Sequence, residues 1–149
     1  MNTPDPGQAA AVVLLATPNT YRSRPFAAAA EKLGLNVHWG VDLPEPLADE
    51  WNVALPLDFR NSAKAVSRLT KLAEYEPIAA VIALDDAATI IAARAAARLG
   101  LAHNSPSAAL AARDKLMMRE RMRAGGVACP GFGAFPISAD PLSIAAGSR

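Results

Sequence analysis

Short apolar runs alternate along the chain with longer segments whose apolar residues recur at helical spacing. Ala10 to Ala16 and Ile78 to Leu84 are unbroken apolar runs, which is typical of strands buried on both faces of a parallel sheet. We expect the first of these strands to be central. Further strands are predicted from Leu35 to Val41 and from Val53 to Phe59. We expect the last of these strands to lie at an edge or to contain a bulge, because it includes Pro56 and proline cannot donate a ladder hydrogen bond.

Helices are predicted in the segments between and after these strands, from Arg24 to Leu33, from Ala63 to Tyr75 and from Ala87 to Leu99. Gly34 and Gly100 directly follow two of them, at the position where a residue with easy access to positive φ ends a helix. The alternation of strands and helices predicts an α/β protein. We expect a Rossmann-like, three-layer fold in which a parallel sheet of about four strands carries helices on both faces.

A longer helix is predicted to begin with Ser105 as N-cap and Pro106 as first residue, to run to about Arg123, and to end at Gly125 and Gly126. At 100° per residue, four of its apolar side chains form one stripe. They are Leu110, Met117, Met118 and Met122, and Lys115 falls just outside the edge of this stripe. Five basic and two acidic residues between Arg113 and Arg123 give a local charge of +3. This excess suits a polyanion such as a nucleotide phosphate, although a solvated basic face is the alternative interpretation.

Composition narrows the classes of protein that fit this pattern. The chain has 149 residues, a formal charge of +1, 19% charged residues and 5% aromatic residues, which argues against a general nucleic-acid binder. No apolar run reaches the ~20 residues that a membrane crossing requires. Because Cys129 is the single cysteine and the N-terminus lacks the regions of a signal peptide, we expect a cytoplasmic protein.

Two candidate ligand-binding places follow predicted strands, where ligands of parallel sheets collect. Asn19, Tyr21 and Arg22 follow the first strand, and they either hold a substrate carboxylate or form a turn with a surface arginine. Asp85 and Asp86 follow the apolar strand at Ile78 to Leu84. Asp86 is predicted to cap the helix from Ala87, which leaves one carboxylate of the pair for a ligand amine or a metal.

The chain resembles the N-terminal portion of ATP-grasp enzymes, the superfamily of biotin carboxylase, D-alanine–D-alanine ligase and glycinamide ribonucleotide synthetase. The resemblance is carried by the successive segments LDDAATIIAARAAARLGL, HNSP and ARDKLMMRERMRAGGVACPGF. Its most specific part is Asp114-Lys115 followed by Gly126-Val127 and Pro130. The order of elements matches from about Val12 to Phe132.

The resemblance implies a preATP-grasp domain on the substrate side of an active site, in which a lysine at the position of Lys115 contacts ATP phosphate. It implies a parent enzyme that activates a small-molecule carboxylate as an acyl phosphate, with ATP and Mg²⁺, and transfers the acyl group to an amine or another nucleophile. It also sets the expected organisation: a flexible tail at 1–9, the preATP-grasp domain at 10–125, and a hinge with the start of the ATP-grasp domain at 126–149. In the family, the adenine pocket and the Mg²⁺ ligands lie beyond this point. We therefore expect the 149-residue chain alone to be inactive and to bind neither ATP nor Mg²⁺ tightly.

Two functions stay open from the sequence. The first is the substrate-side domain of an ADP-forming ligase, whose site residues are those named above. The second is a stand-alone Rossmann-like module that binds a small ligand or another protein. A sheet face that absent domains normally cover leaves apolar surface exposed, so we expect a homodimer that hides it.

Overall fold

The computed structural model describes residues 10–147, and its centre is a sheet of four parallel strands. The strands are β1 (Ala11–Ala16), β2 (Val37–Asp42), β3 (Leu55–Leu57) and β4 (Ile78–Ala83). Their order in the sheet is β3-β2-β1-β4, and every pairing is parallel. The predicted α/β class is therefore confirmed. β1 is an inner strand, and the strand that contains Pro56 lies at an edge, as predicted.

Six α-helices surround or follow the sheet in the described residues. They are α1 (Ser23–Lys32), α2 (Ser62–Tyr75), α3 (Thr89–Leu99), α4 (Pro106–Arg113), α5 (Lys115–Ala124) and α6 (Pro141–Gly147). Short 3₁₀ turns lie at Glu45–Leu47 and Asp86–Ala88. The first three helices agree with their predicted bounds to within two residues. Gly34 and Gly100 have φ values of 63° and 68°, which confirms their predicted role at helix ends.

The chain divides into two compact units, Met1–Leu110 and Ala111–Arg149. The sheet and α1 to α3 belong to the first unit, whereas α5 and α6 belong to the second. The boundary falls within α4. The tail predicted at 1–9 lies outside the described residues.

The core of the first unit lies on both faces of the sheet. Val13 and Leu15 of β1 pack in one cluster with Leu57 and with buried side chains of α2 and α3. Leu14 and its alternate neighbours on β1 point to the opposite face, where they pack with Leu84 and half-buried residues of β2. The crossover through α1 and the crossover through α2 run in opposite directions across the sheet, so their common right-handedness puts the two helices on opposite faces. This is the predicted three-layer arrangement.

Gly40 marks the tightest packing inside the sheet. A Cβ atom built on this residue of β2 would lie 2.6 Å from Leu15 Cδ2 and 2.8 Å from Leu57 Cδ1. No side chain fits there without displacing one of these two buried leucines. The position therefore needs glycine because of space and not because of its backbone angles.

One prediction about the sheet is wrong. The apolar run that forms β4 was expected to be buried on both faces, but β4 is an edge strand and its Ile82 is 38% exposed. The reason is that, within residues 10–147, β4 pairs with β1 alone, so the outer side of β4 has no neighbouring strand. Apolar composition alone does not report how many neighbours a strand has.

The long helix predicted from Ser105 to about Arg123 is also wrong, because two helices replace it. Asp114 separates α4 from α5 with an extended backbone (φ −106°, ψ 109°). Its side chain accepts a hydrogen bond of 2.9 Å from the backbone N–H of Met117, as an N-cap does. Leu110 consequently does not belong to one stripe with the three methionines of α5. The predicted cap at Ser105 is confirmed, since its Oγ accepts from the N–H of Ala108 at 3.1 Å.

Candidate functional site

The carboxyl ends of β1 and β4 lie next to each other and carry the cluster of polar side chains that we take as the candidate site. The two strands are paired neighbours, and the N–H of Leu84 extends the ladder by donating to Leu15 O at 2.8 Å. The loop 17–22 leaves β1 and leads into α1, while Asp85 directly follows Leu84. The topology thus brings together residues that are more than 60 positions apart in the sequence.

The Asp85 carboxylate is the centre of this cluster. Its Oδ2 accepts hydrogen bonds from the backbone N–H and the hydroxyl of Thr17, at 2.8 and 2.9 Å. Its Oδ1 accepts from the hydroxyl of Thr20 at 2.9 Å. Three of the roughly four acceptor positions of a carboxylate are thereby used. Asp85 therefore holds the loop 17–22 against the end of β4.

The environment of Asp85 favours its charged form. Burial by itself would raise the pKa of the carboxyl group. The hydrogen bonds from the Thr17 backbone and from the Thr20 and Thr17 hydroxyls outweigh that effect, and the Arg22 charge adds to them, so the pKa of Asp85 is lowered. The loop is consequently fixed by an ionised group at neutral pH.

Arg22 is held in place by neutral acceptors. Its Nη1 donates to the backbone carbonyl of Leu84 at 2.6 Å, and its Nε donates to the hydroxyl of Tyr21 at 3.2 Å. The guanidinium also lies 5.4 Å from the centre of the Tyr21 ring. Because neither hydrogen bond neutralises the guanidinium, its positive charge remains available to an anion. Together with the hydrogen bond to Tyr21, the negative charges of Asp85 and Asp86 contribute to raising the pKa of Arg22.

Asp86 does not cap a helix that begins at Ala87, and that prediction is wrong. Asp86 is exposed and opens a 3₁₀ turn, and α3 begins only at Thr89, after Ala88. The carbonyl of Asp86 accepts a hydrogen bond from the Thr89 hydroxyl at 2.8 Å. The extended backbone at Asp85 (φ −124°, ψ 154°) sends its carboxylate towards the β1 loop. The two adjacent acids therefore differ: Asp85 is engaged, while Asp86 faces solvent.

The remaining predicted residues lie apart from the Asp85 contacts. Asn19 is exposed in the loop between the two threonines, and Tyr21 is 80% exposed. Lys115 is the exposed first residue of α5, in the second unit. Within the first unit, Arg22 contacts Tyr21 directly and reaches the end of β4 through the carbonyl of Leu84, the residue before Asp85.

Two members of the cluster were not anticipated from the sequence. Thr17 and Thr20 flank the Pro-Asn pair of the β1 loop, and all three hydrogen bonds to Asp85 come from them. The sequence does contain a hint of this contact, because two hydroxyl residues after an inner strand can donate hydrogen bonds to a carboxylate that follows the neighbouring strand. This reasoning requires knowing that β4 lies beside β1, which the sequence does not tell.

The second unit has its own basic cluster on α5. The guanidinium carbons of Arg123 and Arg119 lie 4.2 and 5.9 Å from the centre of the Phe132 ring. The chain turns back to make these contacts at Gly126, whose φ is 71°. The predicted end of the helix at the two glycines is confirmed. Two of the positive charges of α5 are thus stacked on an aromatic ring, whereas the Lys115 ammonium makes no ion pair within residues 10–147.

Neither a metal-binding cluster nor a membrane-spanning helix is found in the described residues. Within residues 10–147, no group of three or more His, Cys, Asp or Glu side chains is arranged to hold a metal ion. None of the helices in this part of the chain combines the length and the apolar character that a bilayer crossing demands.

Comparison with known proteins identifies the fold. No protein-family model matches the chain, and no curated protein matches it in sequence. Among solved structures, the chain is similar to an L-amino acid ligase from Bacillus licheniformis, with a TM-score of 0.66 and 20% sequence identity. The similarity covers 86% of this chain but 33% of the ligase, so the chain spans about a third of the ligase's length. At this identity the likeness concerns the fold.

Proposed function

We propose that this chain is the substrate-side α/β domain of an ATP-grasp ligase, an enzyme that joins a carboxylate to an amine and releases ADP. The anchored guanidinium of Arg22 at the carboxyl ends of β1 and β4 is the observation that carries the proposal. The structural likeness to an L-amino acid ligase supports it. So does the resemblance of the segment around Asp114 and Lys115 to the ATP-grasp family.

The roles within the cluster follow from what each side chain already binds. Arg22 would bind the carboxylate of the substrate, because its guanidinium donates to a carbonyl and a phenol and forms no ion pair within residues 10–147. Tyr21 and Asn19 are exposed beside it and would line the same place. Asp86 would bind an amine on the substrate, since its carboxylate is exposed and acts on Arg22 electrostatically. Asp85 would position the loop and would not contact the substrate.

Lys115 would contribute to ATP binding from the second unit. Its ammonium lies at the start of α5, where the helix dipole also favours a negative charge. Arg121 and the other basic residues of this helix add to the positive potential. A nucleotide phosphate therefore fits the chemistry of this element. Mg²⁺ does not have a matching set of ligands in residues 10–147, and we assign none of these side chains to it.

Release of ADP by the complete product of the gene tests the proposal. The assay supplies MgATP with a mixture of amino acids as both carboxylates and amines, and it separates ADP formation from background hydrolysis by omitting the mixture. We expect ADP release that depends on the amino acids, together with a new amide product detected by mass spectrometry. Binding of the amino acids without any ADP or amide would contradict the ligase assignment and favour a binding module.

A further inference from the structure

A polar pocket lies beside the edge strand β3, away from the Asp85 cluster. It has a volume of about 540 Å³, within the range of ~300–1,000 Å³ that is usual for small-molecule sites. The loop 45–54, the edge strand β3 and α2 form its walls. Its lining comprises Glu45, Ala48, Asp49, Asn52, Val53, Ala54, Pro56 and Arg68. None of these residues belongs to the cluster at the ends of β1 and β4.

One wall of the pocket is a fixed charge cluster. Glu45 Oε1 lies 2.9 Å from Arg68 Nη1, and Glu45 Oε2 lies 3.1 Å from Lys64 Nζ. The hydrogen bond from Lys64, followed by the charge of Arg68, lowers the pKa of Glu45. Glu45 is therefore ionised and forms ion pairs with both Lys64 and Arg68. Its contact with one nitrogen of Arg68 orients the guanidinium and leaves the other nitrogens for a ligand.

The loop 45–54 adds two exposed polar side chains to the lining, Asp49 and Asn52. Among residues 10–147, the side chains of Asp49 and Asn52 take part in no hydrogen bond or ion pair. The lining holds two carboxylates, Glu45 and Asp49, and one guanidinium, Arg68, while the adjacent Lys64 shares Glu45 with Arg68. Charges of both signs therefore lie in the same pocket, which suits a ligand that carries both charges.

Asn52 has a backbone conformation that would favour glycine. Its φ is 49°, and it is the one residue other than glycine with positive φ in the described chain. Its N–H donates to Asp49 O at 3.2 Å, and the next N–H donates to Ala48 O at 2.9 Å. The same pair of hydrogen bonds closes α1, α3 and α5, and glycine occupies the equivalent position in all three. The turn that lines the pocket therefore differs from these three helix ends in carrying a carboxamide side chain where they have glycine.

We propose that this pocket binds a small zwitterion, a molecule with an ammonium group and a carboxylate. Arg68 binds the carboxylate, Asp49 binds the ammonium, and the Asn52 carboxamide bonds to either group. The apolar floor of Ala48 and Pro56 accommodates the carbons between the two charges. This inference does not depend on the ligase assignment, because it concerns other residues on another flank of the sheet.

Amide chemical shifts of the ¹⁵N-labelled chain test the proposal. The probes are glycine, β-alanine and diglycine, in which the two charges are progressively further apart, with acetate and methylammonium as controls that carry one charge. We expect at least one zwitterion to shift the amides of 45–56 and Arg68 in a saturable manner, at least about tenfold more tightly than either control. The proposal is overturned if no zwitterion shifts these amides, or if acetate or methylammonium does so equally well.

The variant Asn52→Gly separates binding from folding. Because glycine adopts positive φ without the steric penalty of a Cβ atom, the urea midpoint of this variant should be close to or above that of the wild type. Removing the carboxamide should nevertheless weaken zwitterion binding at least about fivefold. Asn104→Gly replaces an exposed asparagine outside the pocket and should leave binding unchanged. Wild-type affinity in Asn52→Gly would show that the carboxamide does not serve a ligand.

Discussion

The substitution Asp85→Asn probes the contact that holds the candidate site together. Asparagine has nearly the same shape, and its carbonyl oxygen can take the place of Oδ2, which accepts two hydrogen bonds from Thr17. Its NH₂ group would then face the Thr20 hydroxyl, whose oxygen can accept instead of donating. The loop therefore keeps most of its hydrogen bonds. What is lost is the charge of the acceptor.

The expected loss of stability follows from that difference. Hydrogen bonds to charged groups contribute about 1.5–3 kcal/mol each, and neutral ones about 0.5–1.5 kcal/mol. The two hydrogen bonds from Thr17 are retained but now have a neutral acceptor. After a reduction for the partial solvent exposure of the site, this change lowers the free energy of unfolding by roughly 1–2 kcal/mol. Urea denaturation followed by circular dichroism measures this loss at pH 7. Asp86→Asn is the matched control, and since Asp86 is exposed its effect should stay within about 0.5 kcal/mol.

The pH dependence provides a second check with a defined sign. The pKa of Asp85 is lowered in the folded protein, so its stabilising effect is fully present above the unfolded value of about 3.9 and is lost as the pH falls through the folded value. The difference between wild type and Asp85→Asn should be constant from about pH 5 to 8 and should shrink in more acidic buffer. A loss below about 0.3 kcal/mol at pH 7, or an undiminished one at about pH 3, would refute the reasoning.

Three further predictions concern other parts of the chain. Gly40→Ala should destabilise the first unit by about 1–3 kcal/mol in urea denaturation, because its Cβ would lie 2.6 Å from a Leu15 methyl carbon; Gly131→Ala, where no atom lies within 4 Å, is the control and should be nearly neutral. Asp114→Ala should cost α5 about 1 kcal/mol and reduce the circular dichroism at 222 nm, whereas an unchanged helix signal and stability would mean that the cap is dispensable. Calorimetry of the 149-residue chain should detect no micromolar, Mg²⁺-dependent ATP binding, because residues 10–147 hold no group of side chains arranged for a metal ion, and tight binding would contradict this expectation.

The spacing of apolar residues correctly predicted the helices that bury one face against the sheet. α2 shows this well, because its apolar stripe coincides with the buried residues Val66 and Leu69. The same reasoning failed at Asp114, where a side chain competes with the helical backbone for an N–H, an effect that no apolar pattern records. It also failed at β4, whose composition suits an inner strand although the strand has one neighbour.

The candidate site could be located from the sequence but not assembled from it. The sequence predicted separate candidate places for Arg22 and Asp85, each after a parallel strand, and the structure shows that these two strands are neighbours in the sheet. Which of the two acids contacts the β1 loop and which faces solvent depends on how the backbone turns after β4. The contribution of Thr17 and Thr20 depends on strand order, which brings residues 65 and 68 positions apart into contact.

The role proposed for Arg22 is tested most directly by the KM for the carboxylate substrate in the ADP-release assay. Arg22→Gln should raise this KM at least about tenfold while changing kcat less, because the lost contact binds the ground state as well as the transition state. Arg60→Gln removes a surface arginine that pairs with Asp58, and it should leave both constants unchanged. If Arg22→Gln has the same KM as Arg60→Gln, the guanidinium at the ends of β1 and β4 does not bind substrate.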